Sequence, residues 1–416
     1  MIIKNFKDLA TNETRKNALE IINKGIGAVL IKNSMHKQIK ISKNILKIKK
    51  DHWNLSNYNN IYVIGAGKAA ADMAEAIEEI FGKKITKGIV IDTRKKTLSK
   101  IKVIKGTHPL PSETNVEATK RIIKILEDCR EKDLIISLIS GGGSALMVSP
   151  RIDLKEQIKI NKILLEKGAA IQEINTIRKH ISKIKGGQLA KIAANSTIIN
   201  LIVSDVITND LNVIASGPTV NDPTTINDAI KIQKKYSLPN LPFIETPKEK
   251  LTNVKNILLI TNVPAAEAMY KKARELGYEA KILTTQLKGE AKDVGKELAK
   301  LLKPKKAIIA AGETTVTVKG SGKGGRNQEL VLGAAKFIKK GVIVSCSSDG
   351  IDFITAAGGG IADENTKEKA KKLGLDIDKS LKENDSYNFL RKVNGIIRTG
   401  KTGTNVGDLM LLLGKK

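Results

Sequence analysis

The segment IYVIGAGKAAADMAEAIEEI, residues 61–80, decides the fold class. A short β-branched run at Ile61–Ile64 leads into Gly-Ala-Gly-Lys, and a helical pattern then covers Ala69 to Ile80. The alternation continues to about residue 236, with further strands predicted at Gly88–Ile91, Val103–Ile104, Leu134–Ile139 and Thr197–Val203. This βαβ rhythm is typical of a parallel sheet with helices on both faces. We therefore predict an α/β protein whose first domain is Rossmann-like.

The chain also shows a boundary and a second α/β series. Three of the ten prolines fall within residues 237–250, which indicates a linker. Strands and helices alternate again beyond it, beginning with a strand predicted at Asn256–Thr261. The prediction is two α/β domains, residues 1–245 and residues 250–416. Residues 1–50 have a helical pattern with many lysines, and we expect a solvated helical face there.

Composition excludes several classes of protein. The chain has 416 residues, 41% of them hydrophobic, which suits a packed core rather than disorder. No apolar run approaches the length of a membrane span, and Met1–Leu30 lacks the apolar core of a secretion signal. Two cysteines and four histidines cannot build a disulfide framework or a histidine-rich metal site. We expect a protein of a reducing cytoplasm without membrane partners.

The net charge of +29, from 72 basic and 43 acidic residues, allows two interpretations. A basic surface binds nucleic acid in many proteins. Such binding usually brings arginines and stacking aromatics, but only ten of the basic residues are arginine and only 3% of the chain is aromatic. Enrichment in lysine and isoleucine also follows from an AT-rich genome or from life at high temperature. We favour this second interpretation and expect no nucleic-acid partner.

Glycines, hydroxyls, acids and one lysine follow the predicted strands directly. In open α/β sheets, ligands bind beyond the carboxyl ends of the strands, so these residues are the candidate site. They are Gly65-Ala66-Gly67-Lys68, Ser140-Gly141-Gly142-Gly143-Ser144, Ser204-Asp205, Gly312-Glu313 and Ser348-Asp349.

The turn after the first strand, Gly65 to Lys68, has two functional interpretations. It is a loose form of the dinucleotide-binding fingerprint, and Asp92 lies near the distance at which an acid would bind the ribose. An NAD(P)H-dependent reductase is therefore an alternative. Lys68 favours a different role, because a cation in the turn suits a phosphoryl group. A third alternative is that Gly65 and Gly67 only allow close packing of helix and strand.

Two other glycine-rich segments predict anion binding. Three consecutive glycines are entropically costly, but they suit a loop whose backbone N–H groups surround an anion. We therefore expect Gly141, Gly142 and Gly143, with Ser140 and Ser144, to hold phosphate or carboxylate oxygens. Arg326 opens a predicted helix after a second glycine-rich stretch, and arginine suits bidentate recognition of carboxylate or phosphate.

Asp205 and Asp349 each follow a strand and could bind Mg²⁺ or accept a hydroxyl proton, although helix capping is the alternative for both. His108 lies in a proline-rich turn and His180 on a predicted helix, and we interpret both as structural. The segment Gly395–Thr402 matches the P-loop pattern, but too little chain follows it for a P-loop domain.

The ordered set of motifs resembles the glycerate 2-kinase family with a C-terminal MOFRL domain. The resemblance runs from about residue 15 to 413 and is carried by exact segments such as Ile214–Val220 (IASGPTV) and Gly324–Leu330 (GGRNQEL). It implies ATP- and Mg²⁺-dependent phosphorylation of D-glycerate at the 2-hydroxyl, in a cleft between two α/β domains. It also implies that Lys68 and Arg326 are the essential cations.

The predicted roles follow from this resemblance together with the motifs. Lys68, Arg326 and Asp205 are the expected catalytic residues, and Asp205 and Asp349 the expected metal ligands. The nucleotide and substrate would contact Glu313, Asn405, the turn glycines Gly65 and Gly67, and the loop Ser140-Gly141-Gly142-Gly143-Ser144. The chain departs from the family pattern at Ala356, where an acid is usual, and at Lys401, where proline is common. Hydroxypyruvate reduction stays the alternative activity, and a homodimer stays open.

Overall fold

The structure, a computed structural model, describes residues 1–206 and 208–416 and divides the chain into two compact units. The terminal unit consists of Met1–Leu30 together with Ile260–Lys416, and the central unit is Ile31–Leu259. The predicted first domain, residues 1–245, coincides with neither unit, because the first thirty residues pack with the end of the chain.

The packing of the first thirty residues rests on contacts with residues far along the sequence. Helix α1 spans Phe6–Leu9 and helix α2 spans Glu13–Ala28. The Arg15 guanidinium lies 3.3 Å from the Asp363 carboxylate, with both side chains buried. A β-carbon on Gly25 would lie 2.6 Å from Met269 Cγ, so this glycine lets α2 approach its neighbour closely. A pattern within residues 1–50 cannot reveal such partners.

The central unit begins with helix α3, Ile31–Gln38, and a small antiparallel sheet. Its strands are β1, Ile39–Ser42, β2, Ile45–Ile48, and β3, Asp51–Asn54. The helical prediction for residues 1–50 is therefore wrong from residue 39 onward. Lys43 and Asn44 adopt positive φ angles of 46° and 64°, as two-residue hairpin turns require, and this local turn overrides the helical spacing.

A six-stranded sheet forms the core of the central unit. Its strands in chain order are β4 (Asn60–Ala66), β5 (Lys87–Asp92), β6 (Ile101–Lys105), β7 (Asp133–Ile139), β8 (Thr197–Val203) and β9 (Val254–Ile260). They lie in the order β6-β5-β4-β7-β8-β9, and the pairings from β6 to β8 are parallel. Every residue of β7 is buried, so both faces of the sheet are covered. This confirms the predicted Rossmann-like sheet.

One strand belongs to a different sheet than expected. Asn256–Thr261 was predicted to start the second α/β series, but β9 lies beside β8 at the edge of the first sheet. That assignment is wrong because the proline-rich segment before β9 does not separate the two units. Strand order depends on tertiary pairing, which the proline count cannot show.

The helices of the central unit follow its strands. They are α4 (Ala70–Phe81), α5 (Glu113–Glu127), α6 (Gly143–Leu146), α7 (Leu154–Glu166), α8 (Ile171–His180), α9 (Gln188–Ile192) and α10 (Ile226–Lys235), with 3₁₀ turns at Leu55–Asn57, Gly82–Lys84 and Ile214–Ser216. The sequence pattern around His180 predicts one helix over Thr176–Ala194, but the structure interrupts it between α8 and α9. Gly186 and Gly187, with φ angles of 60° and 84°, make that interruption possible.

The terminal unit contains the second six-stranded sheet, which is mixed. Its elements are α11 (Val263–Glu275), β10 (Glu279–Leu287), α12 (Ala291–Ala299), β11 (Lys306–Gly312), α13 (Arg326–Ala335), β12 (Gly341–Ser347), β13 (Gly359–Asp363), α14 (Thr366–Lys372), α15 (Ile377–Lys382), α16 (Ser386–Lys392), β14 (Ile396–Ile397) and β15 (Asp408–Gly414). The order is β10-β11-β15-β12-β13-β14, and only β10 and β11 pair in parallel.

Strand β15 matters for function because it runs between β11 and β12 in the opposite direction. Its first residue, Asp408, therefore pairs with Gly312 and with Ser347, the last residues of β11 and β12. The start of β15 therefore places the buried Asp408 carboxylate at the carboxyl ends of β11 and β12.

Within the described part of the chain, no helix combines the length and the apolar character that a membrane crossing requires. Cys129 and Cys346 are both free and buried.

Candidate active site

The turn between β4 and α4 is held together by its own backbone. The N–H of Gly67 donates to the Ile91 carbonyl, that of Lys68 to Gly141 at 2.8 Å, and that of Ala70 to Gly67. The N–H of Ala69 donates to the Ser140 hydroxyl at 3.1 Å. These amide hydrogens are occupied inside the fold and are not available to a phosphate.

The two glycines of this turn serve close packing. A β-carbon on Gly65 would lie 2.2 Å from the Leu138 carbonyl oxygen, and one on Gly67 would lie 2.0 Å from Ser140 Oγ. Gly67 also has a φ angle of 145°. Gly65, Gly67 and the Ser140 hydroxyl thus fasten the strand, the turn and the helix to one another. The predicted contact of these three residues with a phosphate stays a prediction.

Asp92 is likewise committed to the fold. Its fully buried carboxylate accepts the N–H of Ala71 in the first turn of α4 at 2.9 Å and pairs with Arg94. The acid that would bind a ribose in a dinucleotide enzyme therefore caps a helix here. This weakens the reductase alternative at the residue on which it depended.

The loop Ser140–Ser144 presents open amides instead. Ser140 donates its N–H to Ala66, and Gly143 donates to Ser140, which closes a tight turn at the end of β7. Among residues 1–206 and 208–416, the N–H groups of Gly141 and Gly142 have no hydrogen-bond partner. Gly142 adopts a φ angle of 82°. Two adjacent open amides suit the oxygens of a carboxylate or phosphate.

Three side chains meet this loop. A β-carbon on Gly141 would lie 1.8 Å from Asp205 Oδ2, so the Asp205 carboxylate rests against the loop backbone. A β-carbon on Gly142 would lie 3.2 Å from Lys68 Cγ and 3.0 Å from the His108 ring. The structure thus brings predicted residues from three strand ends, Lys68, Gly141–Gly142 and Asp205, into one cluster.

The Lys68 side chain is only partly buried. A lysine beside two open amides favours an anion. The cluster therefore combines donors for an oxyanion with a carboxylate that can accept a proton or bind a cation.

His108 is a member of the cluster that the sequence interpretation assigned to structure. The loop that carries it is held by Asn115, whose side chain accepts the N–H of Thr107 and donates to the Thr107 carbonyl, both at 2.9 Å. Burial, and then the positive charge of Lys68, lower the pKa of His108. Both effects favour the neutral form of the imidazole. The sequence feature that could have indicated a role for His108 is its position after strand β6.

Ser144 closes the loop from behind. Its hydroxyl lies 2.9 Å from the Ser216 hydroxyl, which in turn donates to Asn175 Oδ1 at 3.0 Å. Ala215, whose β-carbon would lie 2.8 Å from one on Gly143, packs against the same loop. Ser144 and Gly143 thus make internal contacts, and their role as ligand groups stays a prediction.

In the terminal unit, Arg326 is bound by two acids. Its Nε and Nη2 donate to the two oxygens of Asp408 at 2.6 and 3.0 Å, and its Nη1 donates to Glu313. Burial raises the pKa of Asp408 to about 6, although Arg326 acts in the opposite direction. Burial acts to lower the pKa of Arg326, but Asp408 and Glu313 raise it overall. The guanidinium keeps one free N–H on each terminal nitrogen.

Asp408 is the functional candidate that sequence reasoning missed in this unit. It lies in a C-terminal strand that was not predicted, and its preceding residues look irregular. Only the insertion of β15 between β11 and β12 brings it to Arg326.

The other predicted residues of the terminal unit have mainly structural contacts. Asp349 accepts the N–H of Ile351 and the hydroxyl of Ser347, both at 2.8 Å. Asn405 accepts the N–H of Gly407 at 3.4 Å. Asp352, three residues beyond Asp349, caps α13 by accepting the N–H of Gln328 at 2.9 Å. Residues 401–407 are irregular and lead into β15, so the pattern at Gly395–Thr402 lacks the helix of a P-loop.

The described residues contain no group of three or more His, Cys, Asp or Glu side chains that could enclose a metal ion. A Mg²⁺ ion bound with a nucleotide needs only one or two protein carboxylates, since phosphates and water supply the remaining ligands. Asp205, beside the open amides, fits that requirement. Asp349 is the second candidate, and its Oδ1 accepts two hydrogen bonds.

Comparison with known proteins agrees with this architecture. A profile described as a domain of unknown function, DUF4147, matches residues 17–246, and the MOFRL family profile matches residues 306–408. The chain is 39% identical over 431 residues to the glycerate 2-kinase of Pyrococcus horikoshii, covering 96% of this chain and 97% of the relative. It is 38% identical over 422 residues to the D-glycerate 2-kinase of Thermotoga maritima, covering 95% and 97%.

A solved structure has a similar fold over nearly the whole chain. The crystal structure of a glycerate kinase from Thermotoga maritima superimposes with a TM-score of 0.88 at 36% identity, covering 96% of this chain and 99% of that chain.

Proposed function

Because the chain belongs to the glycerate 2-kinase family, we propose that it transfers the γ-phosphoryl group of ATP to the 2-hydroxyl of D-glycerate, giving 2-phosphoglycerate and ADP. The observation that carries the proposal is the cluster of the Lys68 side chain, the open amides of Gly141 and Gly142, and the Asp205 carboxylate. Phosphoryl transfer depends on positioning and charge neutralisation more than on covalent chemistry, and this cluster offers both.

Each residue of the cluster has an expected role. Lys68 neutralises charge that builds up on the transferring phosphoryl group. The amides of Gly141 and Gly142 hold carboxylate or phosphate oxygens and orient the substrate. Asp205 accepts the proton of the 2-hydroxyl or binds Mg²⁺. The neutral His108 supplies a hydrogen bond at the same loop.

Mg²⁺, which we propose as the metal held by Asp205 or Asp349, would neutralise nucleotide phosphates. In the terminal unit we propose that Arg326 binds an anionic group through its two remaining N–H groups, while Asp408 fixes its orientation. Glu313 and Asn405 remain proposed nucleotide or substrate contacts. The buried hydroxyls of Thr314 and Thr404 lack a partner in the described part of the chain, which supports a ligand at this edge.

The proposal requires small-molecule partners only, and we place the reaction in the cytoplasm. The scarcity of arginine and aromatic residues supports the absence of a nucleic-acid partner. Whether the protein forms a homodimer is decided by light scattering and has no role in the proposed chemistry.

The direct test is to incubate the protein with ATP, Mg²⁺ and D-glycerate and to follow ADP. We expect ADP formation that depends on D-glycerate and stops when the metal is chelated. A parallel reaction with NADH and hydroxypyruvate should show no loss of NADH absorbance. NADH oxidation without glycerate-dependent ADP formation would establish the reductase instead.

A further inference from the structure

Lys185 places a cation in the interior of the central unit. Its side chain is 2% exposed, and its ammonium donates to the backbone carbonyls of Ser144 at 2.9 Å and Met147 at 3.1 Å. Across residues 1–206 and 208–416, no carboxylate lies within ion-pair distance of it. A buried cation without an opposing charge is costly, so its position needs an explanation beyond packing.

The two carbonyls that Lys185 binds belong to the anion-binding loop. Ser144 lies in α6 and Met147 is its C-terminal cap, and α6 directly follows the open amides of Gly141 and Gly142. Lys185 therefore fastens the segment that directly follows the two open amides. The Ser144–Ser216 contact restrains the same turn from the side.

The charged groups around Lys185 add to its positive field rather than cancel it. Arg178 of α8 acts on it and donates to a neutral partner, Asn161 Oδ1, at 2.8 Å. Lys179 is fully compensated by Asp222 at 3.0 Å. Burial, and then Arg178, lower the pKa of Lys185 to about 7. An anion on the loop would be the missing opposing charge.

We propose that Lys185 is a positioning residue for the Gly141–Gly142 loop, which it holds from behind and whose bound oxyanion it balances electrostatically. This inference rests on the proposed function, in which that oxyanion belongs to D-glycerate or ATP. It goes further by assigning the affinity for this substrate to a residue that does not touch it.

The first test is the variant Lys185→Met, which keeps the length of the side chain and removes its charge. We expect the KM for D-glycerate or for ATP to rise on the order of 10²-fold, with a much smaller change in kcat, because the loop loses its position and its field. Lys183→Met, two residues away at an exposed position, removes the same charge and should change neither constant. An unchanged KM for both substrates in Lys185→Met would overturn the proposal.

The second test measures proton uptake on binding rather than turnover. Substrate binding to the wild type is measured by calorimetry at pH 8 in two buffers of different ionisation enthalpy. Most Lys185 side chains are neutral in the free protein at pH 8, and a bound anion favours the charged form, so binding should take up protons. Lys68 and His108 are present in both the wild type and Lys185→Met. Lower proton uptake in the variant is therefore due to the loss of Lys185.

The absence of proton uptake by the wild type, or equal uptake by the variant, would reject the role of Lys185. Wild-type turnover of D-glycerate is recorded in the same series. If it is absent, the proposed function fails and the inference with it. If it is normal while Lys185→Met keeps both KM values, only the role of Lys185 is lost.

Discussion

The Asp205 carboxylate lies directly against the α-carbon of Gly141, where a β-carbon would come within 1.8 Å of Oδ2. No side chain fits between them. The Lys68 side chain lies against the next residue, Gly142, so Asp205, the open amides and Lys68 are close together. This contact explains why glycine is required at position 141 independently of backbone freedom.

The substitution Gly141→Ala should therefore displace Asp205 or the loop. We expect kcat/KM to fall by on the order of 10²-fold, because misplacement of a catalytic group by about 1 Å has that effect. Steady-state kinetics measure the loss. Gly27→Ala in α2, where the nearest atom would lie at 3.7 Å, is the matched control and should keep full activity. Full activity of Gly141→Ala would show that Asp205 has no role in the reaction.

Replacing Lys68 tests the cation of the same cluster. Lys68→Ala should lower kcat by about 10²–10³-fold, since it removes preorganised charge from the transferring group. Its circular dichroism and urea midpoint should stay close to those of the wild type, because the Lys68 side chain is only partly buried. Lys83→Ala, an exposed lysine near the end of α4, is the control. Wild-type turnover by Lys68→Ala would end the assignment.

Much of the central sheet was predictable because its strands are short buried apolar segments with turn residues at their ends. Strands such as β4 and β7 are continuous apolar segments that end at glycines, and this pattern fixes their nature and approximate bounds. Strand β9 was also recognised, but its membership of the first sheet was not, because strand order is decided by pairing across the whole chain. The packing of α2 with Met269 was hidden for the same reason.

The candidate site was predictable where it follows strands directly. Lys68, Gly141 and Asp205 come after β4, β7 and β8, and parallel strands bring such residues to one edge. His108 was missed because a single histidine in a proline-rich turn carries no local signal of function. Asp408 was missed because residues at the carboxyl edge of a parallel sheet follow their strands, whereas β15 is antiparallel. Its first residue therefore lies at that edge, beside Gly312.

The attachment of the first thirty residues to the terminal unit can be tested at Arg15. Arg15→Ala leaves the buried Asp363 carboxylate without its partner, so the free energy of unfolding should fall by about 3–5 kcal/mol. Lys16→Ala, at the exposed neighbouring position, should change it by less than about 0.5 kcal/mol. Urea unfolding of the full chain measures both. Equal values would mean that the Arg15–Asp363 contact is not part of the folded unit.

The raised pKa of Asp408 predicts a specific pH dependence of stability. The folded protein holds this proton more tightly than the unfolded chain, with a pKa of about 6 against the ordinary value of 3.8. The stabilisation is complete below about pH 4 and is lost as the pH rises through 6, on the order of 3 kcal/mol in total. We expect this fall in the wild type and not in Asp408→Asn. Parallel curves of unfolding free energy against pH would contradict it.

The position of the new phosphate tests the central claim most directly. The protein is incubated with ATP, Mg²⁺ and D-glycerate, and the product is passed to enolase, pyruvate kinase and lactate dehydrogenase without phosphoglycerate mutase. Transfer to the 2-hydroxyl predicts immediate NADH oxidation at a rate that does not change when mutase is added. ADP formation without any NADH oxidation until mutase is added would show transfer to the 3-hydroxyl and contradict the account.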